Sequence, residues 1–387
     1  MKTNGTGKNE DAILGEYGFW DYTTPAAGSM EQYAKEDYIL LLDDMAGAGM
    51  NSLVVMMKWL TTGYRSSLSF LDQLPGNLTI DSDNELLRGV ISEAGKRGIK
   101  TWLGGALTHY GIETFGLTPH TRLDVVDDFQ LPMPVGIYSP DLPGVAERIV
   151  RICEELVELF PEAGGLIVEL EDADVYQPHR RALYNAWAEA NGRASYEQLM
   201  ADFRLRSKHA NDVPEWRDYT TQSRIDVLDA VEKAVRSKGF SGDLATICEC
   251  ALAPFVVSCG INITEFHRQL PQWMAITFHY EKSRYRHALM DLCIDTPKRE
   301  GLTVLYLPRG VSTLPVWPMP ISLEQSWQMD VEDVLKYRPH GVWWFASGAS
   351  SEGIHTSPSK LREAGFTSGL QARRKLLEVA SQLCVAR

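Results

Sequence analysis

The sequence has no run that approaches the roughly 20 apolar residues of a membrane span. Its opening stretch, Met1 to Asp11, is polar and carries no apolar core of the secretory type. Basic residues are outnumbered: 38 Lys and Arg against 51 Asp and Glu leave a net charge of −13. Such a surface repels a phosphate backbone, which argues against nucleic acid as a partner. The six cysteines are scattered at 153, 248, 250, 259, 293 and 384. Cys248 and Cys250 form a C-x-C with no second pair, so a zinc ribbon is not supported. Reduced thiols in a cytoplasmic protein, with no membrane partner, are the simplest expectation. No inter-domain linker stands out. No G-x-G-x-x-G follows the first strand, which weakens a dinucleotide-binding open sheet.

What is present is alternation. With 387 residues, 44% of them hydrophobic, the chain can bury a large core. Apolar strand-like runs fall at 17–22, 51–59, 99–108, 164–170, 243–251, 272–280, 302–307 and 341–346. Amphipathic helical patterns fall between them at 30–48, 84–96, 142–160, 214–238, 285–293 and 323–337, with a last helix at 370–383. Strands of near-continuous apolar character belong to a parallel sheet covered by helices. Eight such units predict an α/β fold of the (β/α)8 barrel type, one catalytic domain spanning 1–387. Glycines 49, 98, 164, 239, 301 and 341 mark short helix-to-strand turns. The strand-to-helix connections are long: 60–83, 110–141, 173–213, 251–270 and 310–322. That asymmetry places function at the carboxyl ends of the strands. The segment 176–213 is expected to be an insertion of loop and helix over the barrel mouth.

The fourth strand ends in an unusual way. Gly164-Gly-Leu-Ile-Val-Glu-Leu-Glu-Asp-Ala-Asp174 puts four carboxylates in its last six residues. Side chains alternate along a strand, so Glu169 and Glu171 share a face, roughly 6.5–7 Å apart, while Leu166, Val168 and Leu170 share the other. Burying an unpaired carboxylate costs several kcal/mol, so folding alone does not favour this pattern. The structural alternative is that one of the glutamates holds an arginine such as Arg180 or Arg181. In a barrel the other strand ends must converge on the same mouth. They offer Trp20 and Asp21, Lys58 and Trp59, His109 and Tyr110, Glu249, His279, Tyr280 and Glu281, Arg309, and Trp343, Trp344 and Phe345.

Two chemistries need this inventory. Glycosidic hydrolysis requires two carboxyl groups, one protonated as general acid and one ionised as nucleophile or base. Indole and phenol rings suit the C–H faces of a sugar. Alternatively, Glu171, Glu249 and His279 fit a divalent ion of the kind held by barrel sugar isomerases and epimerases. The eighth strand, ending in Trp-Trp-Phe-Ala-Ser, offers no carboxylate to complete that ligand set. A carbohydrate-binding barrel without catalysis is the third reading. Arg309 and Lys58 leave an acidic sugar open as the substrate.

The glutamate-tipped fourth strand (VELED) and the aromatics around a barrel mouth resemble the TIM-barrel glycoside hydrolases. In their largest clan the acid/base glutamate ends strand four, usually after an asparagine, and the nucleophile ends strand seven. Here Leu170 precedes Glu171, and strand seven ends in Arg309, so families that pair strand four with five or six fit better. The resemblance implies glycoside hydrolysis, and the long loops, which would close a pocket, point to cleavage of a terminal sugar from an oligosaccharide or glycoside. Glu171 would be the general acid and Glu249 its partner, with Glu169 and Glu281 as alternates. Trp20, Asp21, Lys58, His109, Tyr110, His279, Arg309 and Trp344 would contact substrate. No cofactor or metal is expected, and a homo-oligomer is left open.

Overall fold

In the computed structural model the described residues are 15–21, 35–56, 64, 66–68, 84–107, 109–111, 135–137, 140–141, 144–170, 180–201, 213–253, 256–257, 262–279, 286–308, 310, 321–346, 362 and 365–385. Eight parallel strands form a closed barrel: β1 (Glu16–Asp21), β2 (Ser52–Met56), β3 (Lys100–Ala106), β4 (Gly165–Glu169), β5 (Asp243–Ala253), β6 (Trp273–His279), β7 (Val304–Tyr306) and β8 (Gly341–Ala346). β8 returns to β1, and pairing of β4 with β5 completes the ring. A helix follows every strand: α1 (Lys35–Gly47), α2 (Asn84–Lys96), α3 (Val145–Leu159), α4 (Pro214–Ser237), α5 (Ile263–Gln269), α6 (Arg286–Met290), α7 (Leu323–Tyr337) and α8 (Gly369–Ala380). The fold is therefore the (β/α)8 barrel that the alternation predicts.

Two details differ from expectation. Helix α5 lies within the stretch 251–270 that reads as loop. It has seven residues and buries only Phe266 fully, too little to produce a periodic pattern. Its one local signal is Asn262, whose side chain accepts from the Glu265 amide as an N-cap. Helix α6 runs on through a π-helical turn at Asp291–Asp295 into Thr296–Arg299, beyond the expected end at 293.

The alternation along each strand divides the core in two. Val54, Trp102, Ile167, Ala245, Ile247, Ile276, Phe278, Leu305, Leu307 and Trp343, drawn from seven strands, meet on the barrel axis. Their neighbours Leu53, Leu103, Leu166, Val168, Leu244, Val304 and Val342 pack outward against the helices. Trp102 and Trp343 meet edge to face, 5.0 Å between centroids. Two indoles in so narrow a space demand small neighbours. A Cβ on Gly165 would stand 2.2 Å from the Trp102 ring. Gly104 on β3, at φ +133°, presses against β4, and a Cβ there would stand 1.9 Å from the Ile167 carbonyl oxygen.

The floor, at the amino ends of the strands, is closed by charge. Lys100 Nζ reaches Glu16 Oε1 at 2.7 Å and Asp243 Oδ2 at 2.5 Å, and lies 4.2 Å over the Trp102 ring. Trp102 Nε1 donates to the other Glu16 oxygen at 3.1 Å.

Part of the second strand-to-helix connection does not lie over the mouth. Tyr64 packs edge-on against Phe160, at the C-terminal end of α3 and hence toward the floor. Nearby, the buried Glu155 of α3 accepts from Ser66 Oγ at 2.5 Å and from both the amide and hydroxyl of Ser67 at 2.6 Å. Burial, and then the Glu155 charge, push the Tyr64 phenol well above its ordinary range.

Candidate active site

The fourth strand carries the clearest part of the site. Ile167 faces the axis, so Glu169, two residues on, enters the same interior, and it is 1% exposed. Leu166, Val168 and Leu170 belong to the helix-facing core, as alternation requires. Glu171 lies one residue past the described part of this strand, and its own placement is outside the described residues.

Around Glu169 the ladder changes character. Pairing of β4 with β5 runs from Gly165–Asp243 to Ile167–Ala245 and then stops. β5 stays with β6 as far as Ala251–His279, with a register shift between Ile247 and Glu249. Bulges re-aim side chains and are over-represented beside active sites. On the β5-facing edge of β4 the carbonyls beyond the ladder take side-chain donors, while the opposite edge stays with β3. Thr246 Oγ1 donates to Val168 O at 2.6 Å, the Leu107 amide to Glu169 O at 3.2 Å, and Arg224 Nη2 to Leu170 O at 3.4 Å.

Several expected contributors move. Trp344 was expected at the mouth; it is fully buried on the outer face of β8, in the layer beneath the helices, and cannot contact a substrate there. Trp343 is axial core, its Nε1 donating to Ser52 Oγ at 2.8 Å. Of the rings expected at the mouth, Trp343 and Trp344 are core, and the side chains of Trp20, Trp59, Tyr110, Tyr280 and Phe345 lie outside the described residues. His109 and Tyr110 do not end β3. They form a separate antiparallel pair with Val135–Ile137, where His109 lies opposite Ile137. The backbones of Trp20, Asp21, Glu249 and His279 occupy the carboxyl-terminal halves of β1, β5 and β6. Their side chains, and those of His109 and Tyr110, lie outside the described residues, as do Lys58, Glu281 and Arg309 altogether.

The insertion contributes two helices, Arg180–Ala190 and Tyr196–Ala201, that pack on the first turns of α4. Tyr184 stacks on Trp216 at 5.1 Å and meets Tyr219 edge-on at 5.5 Å. The Tyr219 hydroxyl donates to the Asp141 carboxylate, tying this cluster to the segment before α3. Arg181, one of the two arginines that offered a structural reading of the fourth strand, pairs with Glu197 at 2.7 Å and lies over Tyr196. The buried cation beside the strand end is instead Arg224, which the sequence reading did not single out. A signal was present: 220, 224, 227, 228, 231 and 235 form the buried stripe of α4, and Arg224 is the one cation in it.

Among the described residues no group of three or more His, Cys, Asp or Glu is arranged to hold a metal ion. No described helix is long and apolar enough to cross a membrane.

No known family model matches the sequence, and no curated protein matches it. The likeness is in structure. A GH42 beta-galactosidase from G. stearothermophilus superposes with a TM-score of 0.62 at 11% identity, over 97% of this chain and 57% of its own. A GH20 exo-beta-N-acetylglucosaminidase from Vibrio harveyi gives 0.53 at 16% identity, over 94% and 54%. An endo-beta-1,4-mannanase from Thermotoga petrophila gives 0.53 at 11%, over 97% and 77%. The chain thus resembles TIM-barrel glycoside hydrolases in fold, and spans little more than half the length of the first two. At these identities the likeness establishes the barrel alone.

Proposed function

We propose that the protein is a glycoside hydrolase acting through carboxylates at the C-terminal face of its barrel. The observation that carries this reading is Glu169, 1% exposed and on the axial face at the end of β4. The two-residue alternation of a strand, carried one step further, makes Glu171 the next carboxylate expected on that face. Glu171 is the general acid in this reading, and Glu249 of the bulged β5 is the partner carboxylate. The axial, almost fully covered Glu169 is the alternate. Two acids close together split their affinities for a proton. That split provides an acid and a base at one pH. The fold neighbours that are glycosidases give the reading its prior.

The substrate class is carbohydrate. The solved structures that share the fold include exo-acting and endo-acting enzymes, so cleavage of a terminal residue rests on the long mouth loops alone. An acidic sugar would call on Arg309 and Lys58.

The test is turnover on a panel of aryl glycosides, uronides and sialosides included, with and without EDTA. Chelator-insensitive release of the aryl alcohol is the expected result, lost by orders of magnitude in Glu171→Gln with the fold retained. Unchanged turnover in Glu171→Gln would remove that residue from the mechanism. A parent protein inert on every glycoside would sink the hydrolase reading.

A further inference from the structure

The end of β4 keeps its ladder with β3 as far as Glu169, but on its other edge, facing β5, side chains take the place of the strand. The β4–β5 ladder stops at Ile167–Ala245. Past that point Val168 O and Leu170 O, two residues apart and therefore on the same edge of the strand, are met by Thr246 Oγ1 at 2.6 Å and by Arg224 Nη2 at 3.4 Å. Thr246 is 1% exposed and Arg224 2% exposed. Helix packing alone argues for an aliphatic residue at 224. It lies in a stripe with Val227, Leu228, Val231 and Val235, and removing a guanidinium from water costs several kcal/mol. The two accepting carbonyls flank Glu169: Thr246 binds that of Val168 before it and Arg224 that of Leu170 after it. A strand end freed along one edge can carry carboxylates into the gap that opens there, provided that something else fixes that edge.

We infer that Arg224 and Thr246 are positioning residues: they hold the β5-facing edge of the end of β4, where its ladder has stopped, so that its carboxylates meet the substrate in register. This rests on the hydrolase reading for its consequence, and on the geometry of β4 alone for its physical content. Displacing a catalytic group by about 1 Å costs on the order of 100-fold in rate.

The experiment uses Thr246→Val, which removes one hydroxyl at nearly constant shape, Thr246→Ser, which restores it, and Arg224→Met with Arg224→Lys. Two readouts are taken on each protein. Amide hydrogen exchange reads the strand without any turnover: faster exchange at Leu107, whose amide binds Glu169 O, is expected in Thr246→Val and Arg224→Met, with residues 227–235 of α4 as protected as in the parent. On whichever aryl glycoside is cleaved, kcat should fall roughly 10–100-fold with KM within about threefold, and Thr246→Ser should recover most of it. An inert parent refutes the hydrolase reading and leaves the exchange test standing. Unchanged exchange at Leu107, or a variant that melts earlier with parental kcat, overturns the positioning role. Should Arg224→Met fail to fold, the Thr246 pair alone decides.

Discussion

Replacing Glu155 by alanine tests the claim that the second strand-to-helix connection is pinned down the outside of the barrel. The carboxylate accepts three hydrogen bonds: Ser66 Oγ on Oε2, and the Ser67 amide and hydroxyl on Oε1. A hydrogen bond to a charged group contributes about 1.5–3 kcal/mol. Ser67 is exposed and Ser66 half-buried, so the freed donors regain water and each bond falls below that range, toward the about 1 kcal/mol net of an ordinary hydrogen bond. A total of about 2–4 kcal/mol follows. An unfolding entropy of about 2.1 cal/mol/K per residue gives about 0.8 kcal/mol/K for a chain of this size, and hence a drop in Tm of about 3–5 °C. Glu155→Gln keeps one acceptor oxygen and should lose roughly a third as much. Thermal melting measures the size, and hydrogen exchange over 66–68 measures the place. If Glu155→Ala melts within about 1 °C of the parent and the amides of Ser67 and Leu68 exchange at the parental rate, the pin is not holding the loop.

Three further outcomes are expected. Gly165→Ala forces a methyl to within 2.2 Å of the Trp102 ring and should destabilise by about 1–3 kcal/mol in a melt; a smaller residue at 102 should relieve the loss in the double variant, and strict additivity would deny the contact. Lys100→Met removes the floor's cation from Glu16, which is 12% exposed, and should cost about 1–3 kcal/mol while leaving kcat/KM unchanged, because the floor lies opposite the mouth. Glu93 is lowered from the ordinary 4.5 to about 2 by hydrogen bonds from Lys96 and Arg97. A depressed folded value means that the stabilisation is complete above 4.5 and is lost as pH falls through about 2. Melts of Glu93→Gln across that window should depend less on pH than those of the parent, and parallel curves would contradict the assignment.

The barrel was legible because its physics is periodic. Helix α2 begins and ends where the apolar spacing and Gly98 put it, and the inward turn of Glu169 follows from Ile167 by a two-residue alternation. Elements whose stabilisation is not periodic were missed. α5 buries a single phenylalanine, and the π-helical turn of α6 adds residues that no 3.6-residue pattern anticipates. His109 and Tyr110 continue the apolar run of β3 in sequence, yet they pair antiparallel with a segment about 26 residues away. That partnership has no local signature. Tryptophan misled for a related reason: composition counts rings but does not say which face of a strand they occupy. Trp343 and Trp344 are neighbours, one on the axis and one beneath the helices, and neither is at the mouth.

Arg224 joins these strands of the argument. Folding stability is concentrated where the chain is uniform: the charged floor, the paired indoles and the apolar layer under the helices. The β4–β5 seam departs from every one of those rules at once, with a ladder that stops, a bulge opposite it, a cation in an apolar stripe and a carboxylate, Glu169, on the axial face. Such departures are retained where the local loss serves function and the rest of the structure is stable enough to hold them. The opposite view, that Arg224 is a core residue that found a carbonyl, predicts that an aliphatic side chain at 224 raises the melting temperature without harm. Buried ionic groups replaced by apolar ones often behave that way. The sign of the change in Tm for Arg224→Met, set beside its kcat, therefore separates a packing role from a positioning one: a gain in stability with a loss of turnover is what a functional strain predicts.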